Sequence, residues 1–178
     1  MGCCLCCQVI ENEYNPKEIK EFNDKALEIH NKYREMHKVD VLQLDDDLCK
    51  KAQKRLNQLI KEKNRNKLII KDYEKNIGEN LWIGEKKIFT IKRLEEACES
   101  WYNEKTKYNF DSNKYQSGTG HFTQMVWKGT RIVGFGFLQY YENKSYFLAL
   151  YYPPGNKLVY SSKLFHFKEN VINNKIVE

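Results

Sequence analysis

The chain has 178 residues, 41% hydrophobic and 30% charged, with a formal net charge of +6. That length suits one domain with a substantial core, and no apolar run approaches the roughly 20 residues of a membrane-spanning helix. Cysteines cluster at the start (Cys3, Cys4, Cys6, Cys7), with only Cys49 and Cys98 in the body; a disulfide framework would spread them, so the pattern points to folding in a reducing compartment.

The opening MGCCLCC has no basic region ahead of an apolar one and meets Glu11 and Glu13 at once, so it is not a secretory signal. Loss of Met1 would expose Gly2 to myristoylation, and Cys3, Cys4, Cys6 and Cys7 offer thiols to palmitate. One acyl chain binds a membrane only marginally, and the thiols supply the second signal. The run resembles the N-termini of dually acylated cytoplasmic-face proteins such as Src-family kinases, except that Cys6 stands where the myristoylation pattern has Ser or Thr. A metal-binding cysteine cluster is the other reading, weakened by the lack of downstream Cys or His at zinc-like spacing. Residues 1–14 are therefore read as an acylated tether and 15–178 as a single domain.

Asn15, Pro16 and Glu18 have the form of a helix start. Ile19, Phe22, Ala26, Ile29, Tyr33 and Met36 continue it as an apolar stripe ending near Lys38. After an extended link, a second helix is expected from the Asp45, Asp46, Asp47 cluster, with Leu48, Ala52, Leu56 and Leu59 as its core face. Residues 50–75 carry ten Lys or Arg against three acids. Lys50, Lys51, Lys54, Arg55, Lys61, Lys63, Arg65 and Lys67 are read as contacts for anionic lipid, beside the alternative of a solvated helix face. No nucleic-acid partner is expected. A third helix is placed at 90–107, a turn-rich loop at 116–120, a short helix at 121–127, and two strands at 131–141 and 145–152, the second ended by Pro153 and Pro154. Helices first and a hairpin afterwards argue for an α+β sandwich around an antiparallel sheet.

Three separated stretches carry candidate chemistry. Gly78-Glu79-Asn80-Leu81-Trp82 puts a carboxylate beside an apolar pair. Glu104 falls at i+3 from Trp101 on the apolar side of the third helix, so it needs a partner, and His121 after Gly120 is the candidate. Glu79, Glu104 and His121 are thus the expected cleft. Ser117 and Thr119 lie in a context that suits capping better than nucleophilic attack.

The run Gly120-His121-Phe122-Thr123-Gln124-Met125-Val126-Trp127 resembles the first signature of the CAP superfamily of cysteine-rich secretory, antigen 5 and pathogenesis-related-1 proteins. Tyr151-Tyr152-Pro153-Pro154-Gly155-Asn156 is similar to the second, and His30-Asn31-Lys32-Tyr33-Arg34 to the first-helix element. The likeness is strongest to the Golgi-associated plant pathogenesis-related group, which is intracellular, myristoylated and without the usual disulfides. It implies a three-layer α-β-α sandwich with a central antiparallel sheet. It also implies binding of lipid or sterol and self-association as a homodimer. Family members that bind zinc use two cleft histidines, but no histidine lies between His37 and His121. His121 is left as a single metal candidate, zinc is disfavoured, and no cofactor is expected. His30 and His37, at i and i+7 on the first helix, are read as structural.

The function expected is that of a non-enzymatic, lipid-anchored protein at the cytoplasmic face of an endomembrane or the plasma membrane. The alternatives are a hydrolase using Glu104 and His121, and a secreted, extracellular effector.

Overall fold

The computed structural model describes residues 14–64, 76–85, 89–140, 144–156 and 166–173. Its elements are α1 (Pro16–Met36), β1 (Gln43–Leu44), α2 (Asp46–Asn64), β2 (Gly78–Gly84), α3 (Ile91–Asn103) with a 3-10 turn (Glu104–Lys107), α4 (Gly120–Met125), β3 (Ile132–Tyr140), β4 (Lys144–Tyr152) and α5 (His166–Asn170).

α1 starts where its capping residues dictate. The Asn15 side chain accepts N–H bonds from Lys17 and Glu18, and Glu18 reaches back to the Asn15 N–H at 2.9 Å. Such a cap contributes about 1 kcal/mol. The helix buries Phe22, Ala26 and Ile29, and the same stripe continues into His30 and Arg34.

The sheet has the order β1-β3-β4-β2. Its three long strands are antiparallel, and the two residues of β1 add a parallel edge to β3. β2 was not foreseen as a strand, because its GENLW run is short and its alternation is masked by Gly and Asn; α5 was not foreseen either.

Period-two alternation sends successive β3 residues into different layers. Val133, Phe135 and Phe137 join an aromatic core with Phe22, Trp101, Phe122 and Phe147 beneath α1, α3 and α4. On the other face Leu138, Tyr146, Leu148 and Leu150 pack on Leu48, Ala52 and Leu56 of α2. α2 lies so close that a Cβ on Gly134 would stand 2.3 Å from the Cys49 backbone nitrogen. The result is an α-β-α sandwich, with β4 buried through both faces.

Candidate functional site

α4 is only six residues long and short of what an isolated helix needs to persist. Charged side chains from elsewhere hold both of its ends. At its N-terminus Glu104 Oε2 accepts the backbone N–H groups of His121 (2.9 Å) and Phe122 (3.1 Å). At its C-terminus the fully buried Arg34 donates to the carbonyls of Met125 and Trp127, both at 3.0 Å, and to those of Thr130 and Asp40. An anion at the start and a cation at the end match the helix dipole. Thr119 occupies the N-cap position without a capping bond, and its hydroxyl donates to Gln116 O. The cap expected from Ser117 or Thr119 thus comes from Glu104.

The second Glu104 oxygen, Oε1, lies 2.7 Å from His121 Nδ1. A carboxylate facing Nδ1 assigns the proton to that nitrogen and leaves Nε2 with its lone pair. The ring stacks on Trp101 at 6.0 Å between centroids. Its side chain is 41% exposed against 19% for Glu104, and among the described residues Nε2 has no hydrogen-bond partner. Burial alone would raise the Glu104 carboxyl. The His121 ring and the two backbone N–H groups outweigh that and hold it below the usual value.

A buried relay supports this corner from beneath. Asn80 Nδ2 donates to His121 O (3.0 Å) and to Tyr151 Oη (3.2 Å). Tyr151 Oη lies 2.9 Å from His30 Nε2, while His30 Nδ1 faces Ala26 O at 2.7 Å. Nδ1 therefore donates to the carbonyl and Nε2 accepts from the tyrosine, which requires a neutral ring. Burial pushes the His30 pKa down to about 4, and burial likewise pushes the Tyr151 phenol well up. His37 is similarly placed, between Ile172 O and Tyr102 Oη, and burial lowers its pKa.

The two signatures meet across α4. Thr123 Oγ1 donates to Asn156 Oδ1 at 2.6 Å, and Asn156 Nδ2 donates to Gly120 O at 2.8 Å. Gly155 N–H donates to Gln124 Oε1 at 2.8 Å, and Gln124 Nε2 to Thr130 Oγ1.

Glu79 is not part of this site. In register with Leu150, it points to the α2 face, whereas its neighbour Asn80 points to α4. Its Oε2 lies 3.1 Å from Arg55 Nε, and both side chains are largely shielded. That pair corrects two expectations at once. Glu79 does not line the cleft with Glu104 and His121, and Arg55, 4% exposed, is not a surface contact for lipid. Lys50, Lys51 and Lys54 are exposed on the outer side of α2. Lys61 and Lys63 fall in its last turn, while Arg65, Lys67, Gly2 and the four N-terminal cysteines lie outside the described residues.

A family described as CAP, the cysteine-rich secretory protein family, matches residues 27–152. The chain belongs to that family. The human Golgi-associated plant pathogenesis-related protein 1 is 34% identical over 158 residues, covering 86% of this chain and 94% of the relative. Pathogenesis-related protein 1C of Nicotiana tabacum is 35% identical over 133 residues, 73% of this chain and 74% of its own. Among solved structures, zinc-bound NaASP2 superposes with a TM-score of 0.59 at 23% identity, covering 78% of this chain and 82% of the other. That likeness shows the CAP fold.

Zinc, carried by some CAP domains, does not fit the residues here. Both Glu104 oxygens are taken by N–H groups, Glu79 lies beyond the sheet, and His121 Nε2 is left as a lone donor. Among the described residues no three His, Cys, Asp or Glu come together to hold a metal, and a structural or catalytic zinc takes at least three protein ligands. The segment 66–72, where the second CAP histidine would fall, lies outside the described residues and has no histidine in its sequence. Chemically, the site presents one oriented imidazole nitrogen beside an aromatic shelf. That nitrogen can accept a hydrogen bond or a proton. Among the described residues no Ser or Cys is bonded to it as a nucleophile.

Proposed function

We propose that this protein is a non-enzymatic CAP domain held by N-terminal acylation at the cytoplasmic face of an endomembrane or the plasma membrane, where it binds lipid or sterol and self-associates. The observation that carries this reading is the contrast between its cysteines. Four stand beside Gly2 in MGCCLCC. The two in the body are free, Cys49 on the α2 face of the sheet and Cys98 buried in α3 on the other. A fold stabilised without disulfides suits a reducing compartment, and the thiols then remain available for palmitate. The name of the human Golgi-associated relative supports an endomembrane address. The commitment of Glu104 Oε2 to the α4 cap, and of Oε1 to His121 Nδ1, supports a structural use of the cleft.

Labelling with myristate and palmitate analogues tests the anchor. Wild type should incorporate both and partition to membranes, and Gly2→Ala should lose myristate and most of the partitioning. No incorporation in wild type would refute the reading. A second reading, hydrolysis with His121 as general base, is favoured by the Glu104–His121 contact of 2.7 Å and an Nε2 without a partner among the described residues. It requires that His121→Ala abolish hydrolysis of an ester or peptide substrate by the purified protein. Equal turnover in both would eliminate it.

A further inference from the structure

The direction of each element defines one end of this domain. Tyr14, the first described residue, packs edge-on against Phe22 at 5.1 Å, accepts the Phe89 N–H, and lies 3.3 Å from Gln139 Oε1. Gln139 pairs with Ser145 near the point where β3 gives way to β4. The chain upstream of Tyr14 therefore enters at this end of the sheet. β2 finishes there too, Gly84 pairing with Ser145, and its penultimate residue Ile83 is 48% exposed.

The helices agree. Cys49 Sγ accepts from Phe135 N–H and Gln53 Oε1 from Phe137 N–H, so α2 and β3 advance together. Ten residues past Gln53 the helix has risen ~15 Å, the length of about four or five strand residues. Its last turn, with Lys61 and Lys63, is thus level with the end of β3. α1 runs the opposite way, Phe22 against Phe137 and Arg34 against Thr130, which puts exposed Lys17, and Lys20 with its partner Asp24, at the same end. His121 lies further along: its carbonyl is bonded to Asn80, which pairs with Ala149, four residues or ~13 Å up β4 from Ser145.

We propose that this end of the sheet is the surface set against an anionic bilayer, with the His121 site turned towards the aqueous phase. The proposal rests on the acylated-anchor reading. Cys7 is seven residues from Tyr14, a span of at most ~25 Å along any path, so an acyl chain there keeps this end near the headgroups. The broad outer face of α2 is a poorer candidate. Tyr14 sits on the α1 side of the sheet, so a domain lying on α2 would draw its tether around the sheet edge. Glu62 and Glu85 also belong to the proposed end, so its definition comes from the tether and Ile83, with the lysines assisting. A molecule meeting His121 Nε2 then arrives from solution rather than from within the bilayer.

The test places an environment-sensitive fluorophore on the full acylated chain at Ile83→Cys, Lys50→Cys or Val41→Cys. Val41 is 52% exposed beside β1 at the opposite end. Cys98 is fully buried, and burial raises the Cys49 thiol to about 11, so neither competes for the label. On vesicles of phosphatidylcholine and phosphatidylserine, lipid-borne quenchers should reach the Ile83 label several-fold more than the other two. Deepest quenching at Lys50 or at Val41, or equal quenching at all three, overturns the orientation. Co-sedimentation of the same samples separates the two ideas. A chain that fails to bind vesicles overturns the anchor reading itself, and the orientation with it, whereas binding with the wrong order of quenching overturns the orientation alone.

Discussion

Acid should weaken this fold through His30, by an amount the structure sets. The ring is fully buried, and its partners Ala26 O and Tyr151 Oη fix it in the neutral form. Burial holds its folded pKa at about 4, against 6.5 for an unperturbed histidine. Because the folded value lies below the unfolded one, the unfolded chain takes up the proton first. The contribution is fully present above pH 6.5 and is lost as pH falls towards 4. Linkage makes the loss ~2 kcal/mol at pH 5 and ~3 kcal/mol at pH 4. Urea unfolding of wild type should be compared with His30→Phe/Tyr151→Phe, which removes the titrating ring together with the hydroxyl that would otherwise lose its acceptor. Carboxylates and His37 titrate in both proteins and cancel in the difference. The stability gap between wild type and the double variant should shrink by ~2 kcal/mol between pH 7.5 and pH 5. Parallel pH profiles would refute the assignment of a buried neutral His30.

Glu104→Gln keeps the size of the side chain but removes its charge, leaving an uncharged amide oxygen for the two helix N–H groups and an NH2 group, a donor in place of an acceptor, facing His121 Nδ1. Chemical denaturation should report a loss of about 1–3 kcal/mol. Glu79→Leu removes the carboxylate that faces buried Arg55 and should cost about 1–3 kcal/mol, while the double change Arg55→Met/Glu79→Leu recovers most of it; a double variant no better than the single one would show that the pair is not coupled. Gly134→Ala forces a methyl against the α2 backbone at 2.3 Å, and a lowered melting temperature equivalent to about 1–3 kcal/mol is expected.

The contact between Glu104 and His121 was legible in the sequence, because Glu104 falls three residues after Trp101 on a face that periodicity assigns to the core. Glu79 was misassigned for a physical reason. A strand residue points to one layer or the other according to register, and one step of register exchanges the faces. Only the pairing of Glu79 with Leu150 sends it to α2 and gives Asn80 to the site. Arg55 is hidden by its neighbours: a run of ten cations reads as surface, although Arg55 stands three residues after Ala52 on the core side of α2. Arg34 carried a readable signal of the same kind. It follows Ala26 and His30 in steps of four along a buried stripe, and a charge there implies an enclosed partner. Its acceptors, four backbone carbonyls, leave no trace in sequence.

The two acidic residues of the expected cleft are each committed to a positive partner other than a metal. Glu104 faces the N-terminus of α4 and Glu79 faces Arg55. Neither arrangement needs a second histidine, so its absence leaves no buried carboxylate unpaired and removes nothing that supports α4. The GHFTQMVW and YYPPGN runs meet for the same structural purpose, through Thr123, Gln124, Gly155 and Asn156. The signatures can therefore persist on architectural grounds alone, with the fold retained while the cleft is reduced to one imidazole nitrogen. On the anchored reading proposed above, the thiols beside Gly2 rather than the cleft are the groups that decide where the protein acts.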